Sequence, residues 1–347
     1  MITQLGEQLV CPGCSAPLEE KSGRLRCPCC REAWPIVDGI PEFVEEFPYW
    51  GEIPAEQMRE VNRAAETRPW KAVLLDSADP KVRRAAEMIT ALGRANWHLL
   101  ANLPPESRVL DLGAGTGTNS HALALHYREV VAVEPVRERV EFMRRRFTQE
   151  GLSNIKILRS SLWKLPFPPE SFDLVAMNGV LEWVAESVAG DPCEVQEREL
   201  RKAASVLKPG GCLYLGIENR YCAGYFIGYP DPHSGVPFVT VLPRFLANWY
   251  SRRKGLAGGY RNYLYSSRGY RKLLLRSGFS RVEVYLALPS YNSPRFLIPL
   301  DGDAYSYYAR NQHSGRPGRV RNAIWEVLLR LKLLKYVEYS FAIFAYK

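Results

Sequence analysis

Three closely spaced glycines follow a short apolar run, and an acidic residue follows them at a distance typical of nucleoside-binding sites. The glycines are Gly113, Gly115 and Gly117, and the apolar run begins at Val109. Glycine permits a sharp turn after a strand and lets the backbone approach a ligand where a Cβ would clash. Glu134 ends the next apolar run, 21 residues after Gly113. At the end of a neighbouring strand, such an acid accepts both ribose hydroxyls of a bound nucleoside.

Two common phosphate-binding patterns do not fit this loop. A dinucleotide site requires glycine at position 118, which is Thr118. A P-loop requires Gly-Lys followed by Ser or Thr, and no such sequence follows Gly117. What remains is an Asp-x-Gly-x-Gly-x-Gly pattern that begins at Asp111.

Apolar runs that predict strands alternate with segments of helical periodicity through the last two thirds of the chain. Such alternation is typical of a parallel sheet covered by helices on both faces. The sequence therefore predicts an α/β domain over residues 106–347, interrupted by insertions at about 220–265 and 292–335. A helical linker is predicted at 48–105, after a short cysteine-rich segment at 1–47.

The pattern from Asp111 to Gly117 resembles motif I of the class I S-adenosylmethionine-dependent methyltransferases, and residues 159–184 resemble a later region of that family. The resemblance covers about 106–219 and 266–291, together with the terminal strand. It implies a Rossmann-like fold with a mostly parallel seven-stranded sheet, helices on both faces, and lid insertions after the fifth and sixth strands. It also implies S-adenosylmethionine as the cofactor.

The same resemblance implies which residues contact the cofactor. Ser161 and Leu162 are expected near the adenine, whereas Asn178 and Gly179 are expected to border the methionine part and the transfer site. Trp183 stands where many relatives have histidine, which excludes a catalytic histidine at that position. The complete predicted set is Asp111, Gly113, Gly115, Gly117, Glu134, Ser161, Leu162, Asn178 and Gly179.

Five of the eight cysteines lie within the first 30 residues, which predicts a metal site. Four of them form two Cys-x-x-Cys pairs separated by 12 residues, and Cys29 lies inside the second pair. Four thiolates suit tetrahedral Zn²⁺ and leave no coordination position open for chemistry. With the Trp-Pro-Ile-Val-Asp-Gly-Ile-Pro sequence that follows, the pairs resemble zinc-ribbon modules fused to, or partnered with, methyltransferases. A redox pair is the alternative. The predicted zinc ligands are Cys11, Cys14, Cys27 and Cys30.

The first insertion contains the candidate catalytic residues. His233 is its only histidine and lies beside Asp231 and Ser234. A neutral imidazole near pH 7 can accept the proton of an acceptor hydroxyl. We therefore predict a catalytic group of His233, Asp231 and Tyr229, with a structural hydrogen bond as the alternative role for the histidine. This insertion and residues 285–301 resemble methyltransferases of polysaccharide and other glycan biosynthesis.

The net charge of +9 is unevenly distributed along the chain. Residues 1–231 carry a formal charge of −5, whereas residues 232–347 carry +14 together with 13 of the 19 tyrosines. The part of the chain predicted to bind the cofactor does not carry the positive charge. The charge is therefore expected to act on the acceptor side. We therefore expect an anionic acceptor, although a solvated basic surface is the simpler explanation.

These features favour O-methylation of a sugar, a glycan or a glycosylated or anionic small molecule. An RNA methyltransferase that uses the zinc ribbon and the basic C-terminal face is the alternative acceptor class. Against RNA, Asn178 is followed by Gly-Val-Leu and not by the Pro-Pro-Tyr of amine-methylating enzymes. The alternative to an enzyme is a non-catalytic partner protein that binds the cofactor.

The sequence also bears on location. The N-terminus lacks a basic segment followed by an apolar core, and no apolar run approaches the roughly 20 residues needed to cross a bilayer. We therefore expect a cytoplasmic protein without a transmembrane segment, and peripheral membrane contact remains open.

Overall fold

The computed structural model describes residues 9–44, 46–49, 51–312 and 326–347. The chain divides into two compact units. Unit 1 comprises Met1–Met177, Lys202–Leu213 and Lys347, and unit 2 comprises Asn178–Arg201 and Tyr214–Tyr346. The boundaries fall within two strands and one helix, which therefore contribute residues to both units.

The N-terminal part of unit 1 forms a small antiparallel sheet. Leu25 lies opposite Trp34 and is fully buried. The segment predicted at residues 1–47 thus contains a sheet of its own. In order across this sheet, the strands are β1 (Glu19–Lys21), β2 (Arg24–Arg26), β3 (Ala33–Val37) and β4 (Ile40–Pro41).

The predicted helical linker is helical and packs within unit 1. Its third helix begins at Pro80, where the Asp79 side chain accepts a hydrogen bond from Lys81 N at 2.7 Å and caps the helix. Buried residues of the first three helices form one apolar cluster with Phe142. The helices are α1 (Ala55–Ala64), α2 (Trp70–Leu75), α3 (Pro80–Thr90) and α4 (His98–Ala101).

The remainder of unit 1 contains the predicted alternation of strands and helices. Leu110 of the first strand lies in parallel register with Val131 on one side and Val175 on the other. The carboxyl ends of these strands therefore lie at one edge of the sheet. The elements are β5 (Arg108–Leu112), α5 (Thr118–Ala124), β6 (Glu129–Val133), α6 (Arg137–Gln149), β7 (Ile155–Leu158) and β8 (Phe172–Asn178).

The remaining elements continue the α/β pattern and end in antiparallel pairing. The last strand pairs with the strand after α10, with Val284 opposite Ile343. The elements are α7 (Pro192–Val206), β9 (Leu207–Glu218), α8 (Ala223–Phe226), α9 (Arg244–Arg253), α10 (Ser267–Arg276), β10 (Arg281–Leu288), β11 (Phe296–Pro299), α11 (Ala304–Gln312) and β12 (Ser340–Tyr346).

The larger sheet is mixed and has eight strands, in the order β11-β10-β12-β9-β8-β5-β6-β7. The α/β prediction is confirmed, but the predicted number of seven strands is wrong. The additional strand is β11, which lies in the second insertion and pairs antiparallel with β10, with Phe296 opposite Leu288. Its sequence, Phe-Leu-Ile-Pro, has no alternation of apolar and polar residues and ends in proline, so it lacks the usual pattern of a strand.

The described parts of the two insertions are folded and packed. The first has its own apolar cluster, which includes Val239, Ala247 and Tyr260. The second contains β11, α11 and a helical turn at 326–330, and its residues 313–325 lie outside the described part of the chain. Among the described helices, none combines the length and apolar character needed to span a bilayer.

Candidate functional site

Four cysteine thiols come together in the N-terminal module. The Sγ atoms of Cys11 and Cys30 are 3.5 Å apart, and those of Cys14 and Cys27 are 3.4 Å apart. All four sulfurs lie within 4.8 Å of one another. Sulfurs bound at about 2.3 Å to one tetrahedral Zn²⁺ are about 3.8 Å apart, so the cluster has suitable dimensions. The structure thus brings together the four predicted ligands.

The two Cys-x-x-Cys turns share one hydrogen-bond pattern. Ser15 N donates to Cys11 O at 2.8 Å, and Arg31 N donates to Cys27 O at 3.1 Å. The fifth residue of each turn has a positive φ, 61° at Ser15 and 64° at Arg31. Cys29 is exposed and does not belong to the group of four. The repeated geometry supports the predicted pairing of ligands.

Glu42 connects the cysteine-containing module with the end of β7. Its carboxylate accepts hydrogen bonds from Arg137 at 2.8 and 2.9 Å and from Arg159 at 3.0 Å. Both Glu42 and Arg159 are buried. The backbones also pair, since Phe43 N donates to Arg159 O and Arg159 N donates to Pro41 O. The module and this end of the sheet therefore form one hydrogen-bonded structure.

The predicted cofactor loop and Glu134 meet at the carboxyl edge of the strands in unit 1. Gly113 N and Ala114 N both donate to Val133 O, at 2.9 and 3.0 Å. Gly115 N donates to Glu134 Oε2 at 2.9 Å. Glu134 is only 2% exposed, and burial raises the pKa of its carboxyl group. The loop thus lies directly against a buried carboxylate.

Two further residues of the motif serve packing. Gly117 precedes α5 with φ 79°, and a Cβ there would lie 2.5 Å from Phe147 Cζ and 2.9 Å from Met143 Cγ. Asp111 is buried and accepts a hydrogen bond from Ser120 Oγ at 2.6 Å. In the structure, Asp111 therefore ties β5 to α5.

The remaining predicted cofactor residues follow β7 and β8. Ser161 and Leu162, in unit 1, are both buried. Ser161 Oγ has no hydrogen-bond partner among the described residues. In unit 2, Asn178 Oδ1 accepts a hydrogen bond from Tyr214 Oη at 3.2 Å, and Gly179 has φ 72°.

A second group of titratable side chains lies within unit 2. His233 Nδ1 is 3.1 Å from Asp231 Oδ1, which brings these two predicted residues together. His233 Nε2 is 3.6 Å from Glu182 Oε1 and 3.7 Å from Glu218 Oε2. All four side chains are at most 4% exposed. Tyr229, the third predicted catalytic residue, is 63% exposed and is not part of this group.

The carboxylates determine the charge state of the histidine. Burial alone lowers the pKa of His233, but the hydrogen bond with Asp231 and the charges of Glu182 and Glu218 raise it to about 11. Burial and the charge of Glu182 raise the pKa of Glu218 to about 7, although His233 opposes this shift. The surroundings therefore favour the protonated imidazole over the neutral form that a general base requires.

Sequence reasoning missed Glu182 and Glu218. Glu218 is the last residue of β9, and Glu182 follows β8 by four residues. Acidic side chains at the carboxyl ends of predicted strands were an available signal. The Tyr291 hydroxyl also belongs to this group, since its Oη donates a hydrogen bond to Glu218 Oε1 at 3.0 Å.

Several arginines of the basic half have structural contacts. The guanidinium carbon of Arg244 lies 3.9 Å from the ring centroid of Tyr263. Arg261 donates hydrogen bonds to Ala185 O at 2.8 Å and to Val188 O at 2.7 Å. Part of the positive charge that suggested an anionic acceptor therefore stabilises unit 2 itself.

The central part of the chain is similar to known proteins. Residues 110–215 match the family model described as a methyltransferase domain. The chain is 38% identical over 108 residues to a demethylmenaquinone methyltransferase of Clavibacter sepedonicus, covering 31% of this chain and 40% of the relative. It is 33% identical over 121 residues to a ubiquinone biosynthesis O-methyltransferase of Xanthomonas campestris pv. campestris, covering 35% and 47%.

A solved S-adenosylmethionine-dependent methyltransferase of Thermotoga maritima has 20% identity and a TM-score of 0.41, covering 76% of this chain and 95% of that one. The chain spans less than half of the length of the two curated relatives. The sequence match coincides with the strands and helices that carry the glycine loop and Glu134. From β5 to β9 the chain is therefore similar to a methyltransferase domain.

Proposed function

We propose that the protein transfers the methyl group of S-adenosylmethionine to an acceptor oxygen. The observation that carries this proposal is the 2.9 Å hydrogen bond that joins Gly115 N to Glu134 Oε2 in a matched methyltransferase domain. A carboxylate after this strand supports the binding of ribose hydroxyls. The O-methyltransferase named among the relatives supports oxygen as the acceptor atom.

The residues fit this cofactor in chemistry as well as in position. The Glu134 carboxylate can accept hydrogen bonds from hydroxyl groups. Burial raises its pKa, but the backbone N–H donors of Gly115 and Val136 oppose this shift. Ser161 Oγ is buried without a hydrogen-bond partner among the described residues, so it has a free donor and acceptor for a polar ligand atom. We assign Glu134 to the ribose and Ser161 with Leu162 to the adenine side.

The cofactor supplies an activated sulfonium methyl group when it is bound. The task of the chain is then to hold the acceptor oxygen in line with the methyl carbon and sulfur and to exclude water. We assign Asn178 and Gly179 to the methionine part and the transfer site, and the group around His233 to the acceptor.

For the acceptor, we propose a hydroxylated anionic small molecule or a glycan. The curated relatives named above belong to quinone biosynthesis by their names, and neither name refers to a sugar. The tyrosines and arginines of unit 2 support an acceptor that stacks and carries negative charge. RNA remains the alternative class, because a small cysteine-containing module and a basic half are also found in RNA-binding enzymes.

We also propose that Cys11, Cys14, Cys27 and Cys30 bind one structural zinc ion. The sulfur distances and the repeated turn geometry support this assignment. Four thiolates fill a tetrahedral coordination sphere, so this ion has no role in the reaction.

Methyl transfer from labelled S-adenosylmethionine tests the proposed function. The full chain is incubated with extracts that contain sugar nucleotides and glycans, with quinone precursors, and with total RNA. We expect label in an oxygen-methylated small molecule or glycan, and no label with the Gly115→Val variant. Label in RNA alone would replace the proposed acceptor class. Cofactor binding without any transfer would instead support the non-catalytic alternative.

A further inference from the structure

We propose that Glu182, Glu218 and His233 of unit 2 bind a divalent cation. This site is separate from the cysteine cluster and differs from it in ligand chemistry.

The ligand atoms surround a common point. His233 Nε2 is 3.6 Å from Glu182 Oε1 and 3.7 Å from Glu218 Oε2, and one atom from each of the three residues lies within 4.8 Å of the others. These distances exceed those of ordinary hydrogen bonds. Ligands held at about 2.1 Å from one cation lie about 3.0 to 3.6 Å apart for angles of 90° to 120°. Small side-chain movements therefore suffice to coordinate an ion.

The carboxylates lack the partners that buried charges normally have. Glu182 is fully buried and Glu218 is 3% exposed. Both oxygens of Glu182 and Oε2 of Glu218 accept no hydrogen bond within the described part of the chain. The ion pairs found there for the two glutamates are those with His233. Two buried carboxylates beside one imidazole leave uncompensated negative charge, which is costly unless a cation binds or a carboxylate takes up a proton.

The surrounding residues orient the proposed ligands. Asp231 Oδ1 lies 3.1 Å from His233 Nδ1, and Asp231 Oδ2 accepts hydrogen bonds from Ser234 N and Oγ at 2.8 and 2.6 Å. At metal sites, a histidine commonly binds the metal through one ring nitrogen and donates a hydrogen bond to a carboxylate through the other. Tyr291 Oη holds the other carboxylate oxygen of Glu218 at 3.0 Å.

A proton on His233 Nε2 would compete with a cation for this site. The imidazolium would neutralise one of the nearby charges, but its Nε2 is too far from either glutamate for a good hydrogen bond. Tyr339 Oη, 3.4 Å from Glu218 Oε1, adds no positive charge. A divalent cation replaces that proton and balances both glutamates.

The ligand set indicates the kind of cation. Two carboxylates and one imidazole suit Mn²⁺ and related divalent ions, whereas the four thiolates of the cysteine cluster suit zinc. Three protein ligands leave coordination positions open for water or for acceptor oxygens. The binding of acceptor oxygens at these positions depends on the proposed function. The binding of the cation itself does not depend on it.

Mn²⁺ titration followed by electron paramagnetic resonance tests the site in the full chain, after dialysis against metal-free buffer. We expect one Mn²⁺ bound per chain, with at least about tenfold weaker binding in Glu182→Gln and in Glu218→Gln. Glu199→Gln is the matched control, since Glu199 is also buried in unit 2 but lies outside the group. Absence of binding to the wild-type chain, or equal binding in all variants, would overturn the proposal.

Thermal unfolding with and without Mn²⁺ gives a second readout on folded protein. Mn²⁺ is expected to raise Tm of the wild type and of Glu199→Gln, and not of Glu218→Gln. Calorimetry with S-adenosylhomocysteine separates this inference from the proposed function. Mn²⁺ binding without nucleoside binding would refute only the proposed function. Methyl transfer by a wild-type chain that does not bind Mn²⁺ would refute only the cation site.

Discussion

The backbone N–H of Gly115 donates a hydrogen bond to Glu134 Oε2 at 2.9 Å, and this contact links the loop after β5 to the acid after β6. Val136 N donates to the other oxygen of the same carboxylate at 3.1 Å. Each carboxylate oxygen has a second lone pair that remains available to a ligand hydroxyl. Glu134 therefore shapes the loop and presents acceptors at the same time.

Glu134→Ala is expected to weaken S-adenosylmethionine binding by about a hundredfold or more. Each hydrogen bond to a charged group contributes about 1.5–3 kcal/mol, and the variant loses those to the ribose and to the loop. Isothermal titration calorimetry measures the effect. Glu138→Ala is the control, because Glu138 forms a surface ion pair with Arg59. Equal affinities in the wild type and Glu134→Ala would contradict the assigned cofactor site.

Gly117→Ala is expected to lower the free energy of unfolding by about 1–3 kcal/mol more than Gly151→Ala. Both glycines have a positive φ, 79° and 67°, so both substitutions strain the backbone. Only at Gly117 does the added Cβ meet side chains, with Phe147 Cζ at 2.5 Å, whereas nothing lies within 4 Å at Gly151. Urea denaturation of the two variants separates the packing effect from the strain. Equal losses would argue against the close approach of α6.

Metal analysis of the purified chain distinguishes the adjacent thiols. Cys30→Ser is expected to lose the zinc ion, because Cys30 Sγ is one of the four clustered sulfurs. Cys29→Ser is expected to retain one zinc per chain, because Cys29 does not belong to the group of four clustered thiols. Loss of zinc from Cys29→Ser with retention in Cys30→Ser would reverse the assignment.

Asp111 is expected to make stability depend on pH between about 4 and 6. Burial raises the pKa of Asp111 to about 6, although the hydrogen bond from Ser120 opposes the shift. The folded state therefore binds the proton more tightly than the unfolded state, whose pKa is about 3.9. Wild-type stability should fall relative to Asp111→Asn as pH rises through this window, by up to about 3 kcal/mol. Parallel urea titrations at pH 4 and 7 measure the difference, and a constant difference would refute it.

The sequence was sufficient for the parallel part of the fold because apolar runs such as Val130–Val133 are buried on both faces and have a clear pattern. It was also sufficient to select the four clustered cysteines, because their spacing is local. The meeting of His233 with Glu182 and Glu218 was not predictable in this way. Those residues belong to separate segments of the chain, and no local spacing links His233 of the first insertion to the two glutamates.

The contact between the N-terminal module and β7 has a thermodynamic consequence. Arg159, which Glu42 binds, immediately precedes Ser160 and Ser161, so a zinc ion that holds the module in place would also help to fix the segment that we assign to the adenine. If zinc loading changes cofactor affinity by some factor, cofactor binding must change zinc affinity by the same factor. The cysteine-containing module would then act as an effector site on the methyltransferase domain, with Glu42 and Arg159 as the connecting pair.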